Sequence, residues 1–347
     1  MSAAADWFSD GDQLVTELRR SRHEREGAPT IAGYDDLELL GRGGQGIVFA
    51  ATQRSTRRRV AIKLLLDGAF ASSSARRRFE REVELVASLQ HPGIVRVFDS
   101  GTTADGRLYT VMELLEGSTL ERWAAAHGAA DAPDRDGWIR ARCELVAEIG
   151  DAVHAAHQRG IIHRDLKPGN VRVDAAGRPR VLDFGLAKPL DASVWRSGAS
   201  VSRSGHFLGS VPWASPEQAS GAAGAADVRS DLYSLGVIAY RLLTEAMPYD
   251  TSGSIGDALR AVAETPPAPP RLLGRPLGRD LETVLLKSLA KEPSRRYQSV
   301  GEFVADLRRA LAGEPIDARR DSAWYLLRMA ARRHRAAVAA ALLLLAM

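Results

Sequence analysis

The residues with the clearest potential for chemistry are the polar side chains of one short segment, His163-Arg-Asp-Leu-Lys-Pro-Gly-Asn170. Asp165 can accept the proton of a hydroxyl group, and Lys167 can place a positive charge beside a phosphate. Asn170 supplies an amide oxygen, which is a ligand that Mg²⁺ accepts. This combination suits phosphoryl transfer, a reaction that needs an oriented hydroxyl and positive charge rather than covalent chemistry from the protein.

A second polar triplet, Asp183-Phe-Gly, follows Asn170 by thirteen residues. Its carboxylate supplies another oxygen ligand, so Asn170 and Asp183 form the predicted metal site. His163 is interpreted as a packed, structural histidine, because Asp165 already provides the base. The residue between them, Arg164, is a candidate for pairing with a phosphorylated side chain.

Glycines cluster in the segment Gly41-Arg-Gly-Gly-Gln-Gly46, whose spacing occurs in two kinds of nucleotide site. In a dinucleotide-binding unit these glycines follow a strand and open a helix. Here the chain continues as the strand-like run IVFAATQ and then enters another strand, so a hairpin that covers phosphates fits better. Backbone amides in such a turn approach phosphate oxygens without interference from side chains. The predicted phosphate-covering residues are Gly41, Arg42, Gly43, Gly46 and Val48.

Lys63 lies in the apolar run VAIKLLL, where an unpaired ammonium group would be costly. It therefore needs an anionic partner. Glu82 is the predicted partner, because it flanks the apolar face of a helix predicted over residues 75–90. The pair would hold the ammonium group against the α- and β-phosphates of a nucleotide. The alternative is a surface lysine of which only the stem is buried.

The pattern of apolar residues changes from strand-like to helical along the chain. Strand-like segments dominate residues 34–62, and two more, IVRVFDSG and LYTVMELL, follow the helix of residues 75–90. Beyond Ser118 most periodic segments are helical. They cover residues 119–127, 137–159, 228–245, 255–264, 279–290 and 299–312. We therefore predict an α+β fold with a small β-rich lobe over about residues 34–115 and a mainly helical lobe over about residues 116–312.

Composition restricts the classes of function. The chain has 347 residues, of which 45% are hydrophobic and 26% charged, as is typical of a globular protein. Its formal charge of +4 is too small to favour nucleic acid as a partner. The single cysteine, Cys143, cannot form an intrachain disulfide bond, so the domain suits a reducing compartment. The first residues carry no secretory signal, which predicts a cytoplasmic location.

Together these motifs resemble the protein kinase superfamily, and most of all the bacterial Ser/Thr kinases of the eukaryotic-like type. The family signature of glycine-rich loop, V-A-I-K, H-R-D and D-F-G occurs in the family's order within about residues 34–312. The resemblance implies a two-lobed protein kinase fold with ATP in the cleft between the lobes, and Mg²⁺ as the metal with Mn²⁺ as a substitute. Lys167 resembles the lysine of Ser/Thr kinases, so the implied substrates are protein serine and threonine hydroxyls.

The resemblance also assigns contacts to the nucleotide. Met112 falls where the family keeps its gatekeeper residue, and Glu113 to Leu115 fall on the hinge whose backbone binds adenine. Val48 and Ala61 complete the implied nucleotide contacts. The implied catalytic residues are Asp165, Lys167, Lys63 and Glu82, and the implied metal ligands are Asn170 and Asp183.

Residues 186–211 resemble an activation loop. Ser202 and Ser204 are candidate phosphorylation sites, which Arg164 would contact once they are phosphorylated. The alternative is that both are ordinary loop serines. Ser210 stands where the family usually has threonine, and it keeps a hydroxyl that can contact the catalytic segment.

Two further resemblances concern residues with structural roles. Glu217 matches the glutamate that pairs with an arginine of the large lobe, here Arg296. Asp231 matches the aspartate that braces the catalytic segment.

Both ends of the chain are predicted to lie outside the kinase domain. Residues 1–33 form an N-terminal extension, and residues 313–335 form a basic segment. Residues 336–347 are apolar, but twelve residues are too few to span a membrane. We predict the start of a transmembrane helix that the sequence cuts short, in a single-pass protein of the inner membrane whose kinase domain is cytoplasmic, because Arg332–Arg335 precedes it. The alternatives are a short hydrophobic tail and a packed C-terminal helix.

Three functions are compatible with these motifs. The first is an active Ser/Thr kinase in signal transduction, with autophosphorylation that would involve self-association. The second is a catalytically weak pseudokinase that acts as a nucleotide-binding scaffold, and the third is a scaffold that only anchors partners at the membrane. A module released from catalysis has no physical reason to retain the whole set of charged and amide side chains, so the active kinase is favoured. That set is Lys63, Glu82, Asp165, Asn170 and Asp183.

Overall fold

A computed structural model of the chain describes most of the region that the sequence assigns to the two lobes. The described residues are 29–43, 46–65, 73–128, 134–184, 209–221, 226–273 and 277–320. The candidate phosphorylation sites Ser202 and Ser204 and the apolar segment 336–347 lie outside the described residues, as does most of the N-terminal extension.

The small lobe is built on one sheet of five antiparallel strands. They are β1 (Tyr34–Arg42), β2 (Gly46–Gln53), β3 (Arg58–Leu65), β4 (Val97–Thr102) and β5 (Leu108–Glu113). Their order across the sheet is β1-β2-β3-β5-β4. Each strand covers a segment with a strand-like pattern, so the prediction of a β-rich small lobe is confirmed.

The two faces of this sheet have different surroundings. On β3, Ile62 and Leu64 enter an apolar cluster that contains no residue of the large lobe. Ala61 faces the other way and packs in a second cluster together with Leu182 of the large lobe. Successive side chains of a strand alternate between faces, so Lys63 lies on the same face as Ala61. This face of the sheet is therefore the roof of the cleft between the lobes.

One helix of the small lobe, α1 (Ser73–Ala87), packs beside the sheet. Phe79, Val83 and Val86 form its buried face, as the spacing predicts. All three belong to the apolar cluster that includes Phe184 of the large lobe. Helix α1 therefore connects the small lobe to the segment that carries Asp183.

The large lobe is mainly helical. Its helices are α2 (Leu120–Ala126), α3 (Arg135–His157), α4 (Pro216–Ala219), α5 (Val228–Thr244), α6 (Ile255–Glu264), α7 (Arg279–Ser288) and α8 (Val300–Ala312). The six longer helices confirm the six predicted ones, and the side chains of Asp134, Asp227 and Ser299 cap the first turns of α3, α5 and α8. The helices of the described ranges include none with both the length and the apolar character needed to cross a membrane.

A second, smaller sheet lies in the large lobe and was not predicted. It consists of β6 (Ser118–Thr119), β7 (Val171–Val173) and β8 (Pro179–Val181), in that order. Strands of two or three residues are too short for alternation to be recognised. The β7–β8 hairpin positions the site, because β7 follows Asn170 directly and β8 ends two residues before Asp183.

The folded lobe continues past the predicted boundary at residue 312. Ile316 is fully buried in the core of the large lobe. The backbone N–H groups of Asp317 and Ala318 donate to the Asp306 carboxylate at 2.7 and 2.9 Å. The first part of the predicted basic segment, residues 313–320, is therefore packed against the kinase domain.

Candidate active site

Residues 163–170, which we call the catalytic loop, are held in position by a side chain of α5. The buried carboxylate of Asp231 accepts the backbone N–H groups of His163 and Arg164 at 2.7 and 2.8 Å. The ring of His157, at the end of α3, lies 2.8 Å from the same carboxylate. The predicted bracing role of Asp231 is confirmed. His157 is a partner that sequence reasoning missed, since nothing in its helical pattern distinguishes it from other half-buried residues.

His163 holds the loop from inside. Its Nε2 lies 2.8 Å from the carbonyl oxygen of Leu182, and its Nδ1 accepts the backbone N–H of Asp165 at 3.3 Å. The ring also packs against Phe184, with 4.8 Å between ring centroids. Because both ring nitrogens are engaged and the side chain is buried, His163 acts as a scaffold, as the sequence predicts.

Asp165 and Lys167 lie side by side on the catalytic loop. Lys167 Nζ is 3.5 Å from Asp165 Oδ2, and it donates a hydrogen bond of 2.9 Å to the hydroxyl of Ser210. Ser210 lies near the end of the segment that resembles an activation loop, so its hydroxyl ties the end of that segment to the catalytic loop. A carboxylate that can accept a proton and an ammonium group that can offset negative charge therefore lie side by side.

Asn170 is held at the end of the same loop. Its amide nitrogen donates to the backbone oxygen of Asp165 at 2.8 Å, so its amide oxygen is the atom that it can offer to a cation. The N–H of Leu182 donates to the backbone oxygen of Asn170 at 2.9 Å, which ties the loop to the segment that carries Asp183. Within the described ranges no group of three or more His, Cys, Asp or Glu side chains forms a cation site. One amide and one carboxylate fit Mg²⁺, which keeps few protein ligands and completes its shell with water and phosphate oxygens.

Lys63 is buried, and it has Asp183 as an ion-pair partner, with 2.8 Å between Nζ and Oδ2. A buried ammonium group requires such a counter-charge. Glu82, the partner that the sequence predicts, is half-buried on α1, and its pairing with Lys63 stays a prediction. Asp183 has a φ of 58°, which is uncommon for a residue other than glycine and indicates a backbone that its surroundings hold in place.

The predicted nucleotide contacts converge on one apolar cluster, which we call the cleft cluster. Val48, Ala61 and Met112 are buried members of it, and Leu115 packs against it. Leu182 joins them from the large lobe. Sequence reasoning missed Leu182, because an apolar residue before the D-F-G triplet indicates burial but not which surface it faces.

The segment that joins the lobes begins at Glu113. Its backbone N–H donates to the oxygen of Arg96 at 2.9 Å within the small-lobe sheet. The backbone N–H of Glu113 is therefore engaged within the sheet. Its side chain forms an ion pair with Arg180 of β8, at 2.5 Å.

The glycine-rich turn connects β1 to β2. Gly43 and Gly46 exchange backbone hydrogen bonds of 2.9 and 3.3 Å, and Gly41 and Arg42 pair with residues of β2. A side chain at position 46 would place its Cβ 2.4 Å from the carbonyl oxygen of Leu64, so β3 requires glycine there. The turn continues into a strand rather than a helix, so the dinucleotide-binding alternative is wrong.

A buried ion pair supports the catalytic loop from the side of α4. Arg296 donates to both carboxylate oxygens of Glu217, at 2.8 and 2.9 Å, and the Ser230 hydroxyl adds a third bond at 2.6 Å. The predicted pair of Glu217 and Arg296 is therefore confirmed. The next residue, Gln218, donates to the backbone oxygen of Arg164 at 2.9 Å. The Glu217–Arg296 pair thus fixes the position of Gln218, which binds the backbone of the catalytic loop at Arg164.

Replacing Glu217 with glutamine should lower the free energy of unfolding at neutral pH by about 3 to 5 kcal/mol, because the buried Arg296 loses its counter-charge. Burial raises the pKa of Glu217, but the hydrogen bonds and charge of Arg296 outweigh it, so the pKa lies below its ordinary value of 4.5. The stabilisation is therefore present above pH 4.5 and is lost as the pH falls through the lowered pKa of the folded protein.

Denaturant unfolding of wild type and variant, measured from neutral to acidic pH, checks this prediction. Glu292→Gln is the control, since it removes an exposed pair with Arg295 and should change stability by less than about 1 kcal/mol. Equal stability of the Glu217 variant and wild type at neutral pH would contradict the assigned role.

The fold and the site together define a two-lobed kinase domain. Residues 34–303 match the model of the protein kinase domain family. The chain therefore belongs to the protein kinase family.

Known relatives agree with this assignment. The chain is 38% identical to serine/threonine-protein kinase PknB of Mycobacterium tuberculosis and 34% identical to serine/threonine-protein kinase PrkC of Bacillus subtilis, each over 288 residues. The matches cover 82% and 83% of this chain but 44% and 42% of the relatives, so the chain spans less than half of their length. The crystal structure of the Mycobacterium tuberculosis PknI kinase domain is similar, with a TM-score of 0.59 and 29% identity over 81% of this chain and 97% of that domain. The predicted two-lobed fold and the likeness to bacterial Ser/Thr kinases are confirmed.

Proposed function

We propose that this chain is an ATP-dependent Ser/Thr protein kinase that transfers the γ-phosphoryl group of ATP to serine and threonine hydroxyls of proteins. The observation that carries the proposal is the placement of Asp165 and Lys167 within 3.5 Å of each other, on the loop that also holds Asn170. The pseudokinase alternative is not favoured, because the charged residues of the site are present and paired. The test is transfer of labelled phosphate from ATP to protein, which Asp165→Asn should abolish.

In the proposed reaction, the substrate hydroxyl oxygen bonds to the γ-phosphorus while the bond from that phosphorus to the bridging oxygen breaks and releases ADP. Asp165 orients the hydroxyl and accepts its proton, which contributes about 100- to 10,000-fold to the rate. Lys167 offsets the negative charge of the transferring group. Lys63 holds the α- and β-phosphates, and Glu82 supports Lys63 from α1.

Asn170 and Asp183 are the proposed ligands of Mg²⁺, for which Mn²⁺ can substitute. When bound, the ion neutralises charge on the β- and γ-phosphates. The Lys63–Asp183 ion pair supports this assignment, because it brings the proposed phosphate-binding lysine to the proposed metal ligand.

The cleft cluster is the proposed site of the adenine ring, with the backbone of Glu113 to Leu115 as its hydrogen-bonding edge. An apolar cleft bordered by a few fixed backbone groups is the usual form of a small-molecule site. The proposed cover of the phosphates is the glycine-rich turn. Its residues in this role are Gly41, Arg42, Gly43 and Gly46.

We further propose autophosphorylation in the activation loop, at Ser202 or Ser204, with Arg164 as the phosphate-binding residue. Arg164 supports this proposal because its backbone is fixed. Its N–H donates to Asp231, its carbonyl oxygen accepts from Gln218, and its φ is 63°. The double variant Ser202→Ala, Ser204→Ala should lose about 5- to 150-fold in activity, the usual range of a regulatory coupling. Ser88→Ala, at an exposed serine of the small lobe, is the control. Unchanged activity and phosphate incorporation in the double variant would exclude both sites.

The proposed domain arrangement is an N-terminal extension over residues 1–33, the kinase domain, a basic segment over residues 313–335 whose first part packs against that domain, and an apolar segment over residues 336–347. We propose that the apolar segment attaches a cytoplasmic kinase domain to the inner membrane, and that copies of the chain associate for autophosphorylation. The chain should sediment with membranes and be released by detergent but not by salt, whereas a chain that ends at residue 335 should stay in the supernatant. Full recovery of the 347-residue chain in the supernatant without detergent would contradict membrane attachment.

A further inference from the structure

The connection between the two lobes runs through residues 114–117, which we call the linker. It starts after Glu113, where β5 ends, and it ends before Ser118, where β6 begins. The linker has neither helical nor strand hydrogen bonding. Glu113 to Leu115 form the proposed adenine edge. Because regular secondary structure does not hold the linker, other contacts must fix the positions of its peptide groups before a nucleotide binds.

An arginine of β8 holds the start of the linker. Arg180 Nη2 lies 2.5 Å from the Glu113 carboxylate and 3.4 Å from the backbone oxygen of Ile94. Ile94 also pairs with Val181, so the same strand contacts the small-lobe side of the chain through its backbone. The side chains of Arg180 and Glu113 are 22% and 31% exposed, so solvent only partly screens this ion pair.

A second arginine, from β7, holds the end of the linker. Arg172 is 2% exposed and donates a hydrogen bond from Nη2 to the carbonyl oxygen of Gly117. Burial and the charge of Arg122 lower the pKa of Arg172 to about 10, so its guanidinium is still charged at neutral pH. Gly117 has a φ of 125°, and a Cβ at this position would lie 2.2 Å from the carbonyl oxygen of Val173. The last residue of the linker therefore packs closely against the backbone of β7.

Both arginines belong to one side of one hairpin. Arg172 and Arg180 are directly paired across β7 and β8, so they project from the same face. The flanking Val171 and Val181 are buried in the core of the large lobe. The apolar face of the hairpin thus packs in the core of the large lobe. Its cationic face contacts Gly117, the last residue of the linker, and Glu113, the residue before it.

We propose that Arg172 and Arg180 are positioning residues that fix the linker against the large lobe and thereby set the affinity for the adenine nucleotide. The proposal rests on the proposed function, from which it takes the adenine edge. A linker already held in its binding shape loses less conformational freedom when the nucleotide binds, which strengthens binding without changing the chemical step. The two arginines should therefore affect nucleotide affinity and the KM for ATP, but not the kcat at saturating ATP.

The test compares Arg180→Met and Arg172→Met with Arg178→Met, which removes an exposed ion pair with Asp174 in the same hairpin. Arg180→Met should weaken binding of a fluorescent ADP analogue and raise the KM for ATP by about two- to five-fold, the effect of a partly exposed ion pair. Arg172→Met should raise the dissociation constant of the ADP analogue and the KM for ATP by about ten-fold or more, since a hydrogen bond from a charged group is lost. The control should match wild type in both quantities.

Because loss of the buried Arg172 can impair folding, a charge exchange provides a second test. Glu113→Arg alone should weaken nucleotide binding, and Glu113→Arg combined with Arg180→Glu should restore it to within about two-fold of wild type. Wild-type nucleotide affinity in the folded Arg180→Met variant, or an equal loss in Arg178→Met, would overturn the proposal. The binding measurement does not depend on phosphoryl transfer, so a wild-type chain that binds nucleotide without transferring phosphate would contradict the proposed function alone.

Discussion

Replacing Asp165 with asparagine is expected to slow phosphoryl transfer by about 100- to 10,000-fold while leaving nucleotide affinity unchanged. Asparagine keeps the shape of aspartate, but its amide cannot accept the hydroxyl proton. The loop should keep its conformation, because backbone bonds at Asp165 remain in the variant: the N–H of residue 165 donates to His163 Nδ1, and the backbone carbonyl oxygen accepts from the Asn170 amide. The loss should therefore appear in kcat and not in the dissociation constant of ADP.

The matched control is Asp174→Asn in the β7–β8 turn. The Asp174 carboxylate accepts the backbone N–H groups of Ala176 and Arg178 and belongs to the same part of the lobe, but it has no proposed part in the reaction. This variant should retain wild-type kcat. An Asp165→Asn enzyme that turns over at the wild-type rate would remove Asp165 from the role of base.

Replacing Lys63 with methionine is expected to reduce phosphoryl transfer by about 100- to 1,000-fold, the usual cost of removing one charge-stabilising group. Methionine is also unbranched and apolar, so it should fill the buried space of the lysine stem. The ammonium group that pairs with Asp183 at 2.8 Å is lost, and with it the contact proposed for the phosphates. We expect kcat/KM for ATP to fall, and Mg²⁺-dependent nucleotide binding to weaken, because Asp183 loses a partner that orients it.

Arg59→Met on the same strand is the control for Lys63→Met. It removes the exposed ion pair with Glu38, and it should leave kcat/KM within about two-fold of wild type. Thermal unfolding of both variants separates a loss of folding from a loss of chemistry. Wild-type kcat/KM in a folded Lys63→Met variant would show that the lysine is structural.

The sequence was sufficient to predict the elements with long, regular patterns. The buried face of α1 was visible in the spacing of Phe79, Val83 and Val86. The pairing of Glu217 with Arg296 was also predictable, but only from the resemblance to kinases. The charges alone do not connect residues that are 79 positions apart.

Other features depend on contacts that no local pattern encodes. Spacing on α1 favoured Glu82 as the partner of Lys63, whereas the structure also brings Asp183 to it from 120 residues away. The strands of the small sheet were invisible because each has three residues or fewer. The packing of Ile316 against the large lobe was hidden by the polar and charged residues around it.

The role of the β7–β8 hairpin is another feature that the sequence pattern does not predict. Arg172 and Arg180 alternate with valine and proline, a pattern that is compatible with any exposed hairpin. Only the pairing of the two strands, and the approach of Gly117 and Glu113 to them, reveals that Arg172 contacts the last residue of the linker and Arg180 the residue before it.

Ser/Thr kinase activity is tested by incubating the purified chain with Mg²⁺ and ATP labelled in the γ-phosphate, with and without a basic protein substrate, and then identifying the labelled amino acids. We expect label on serine and threonine that depends on Mg²⁺ and disappears in Asp165→Asn. Binding of ATP without transfer to the chain or to the substrate would contradict it and would favour a nucleotide-binding scaffold.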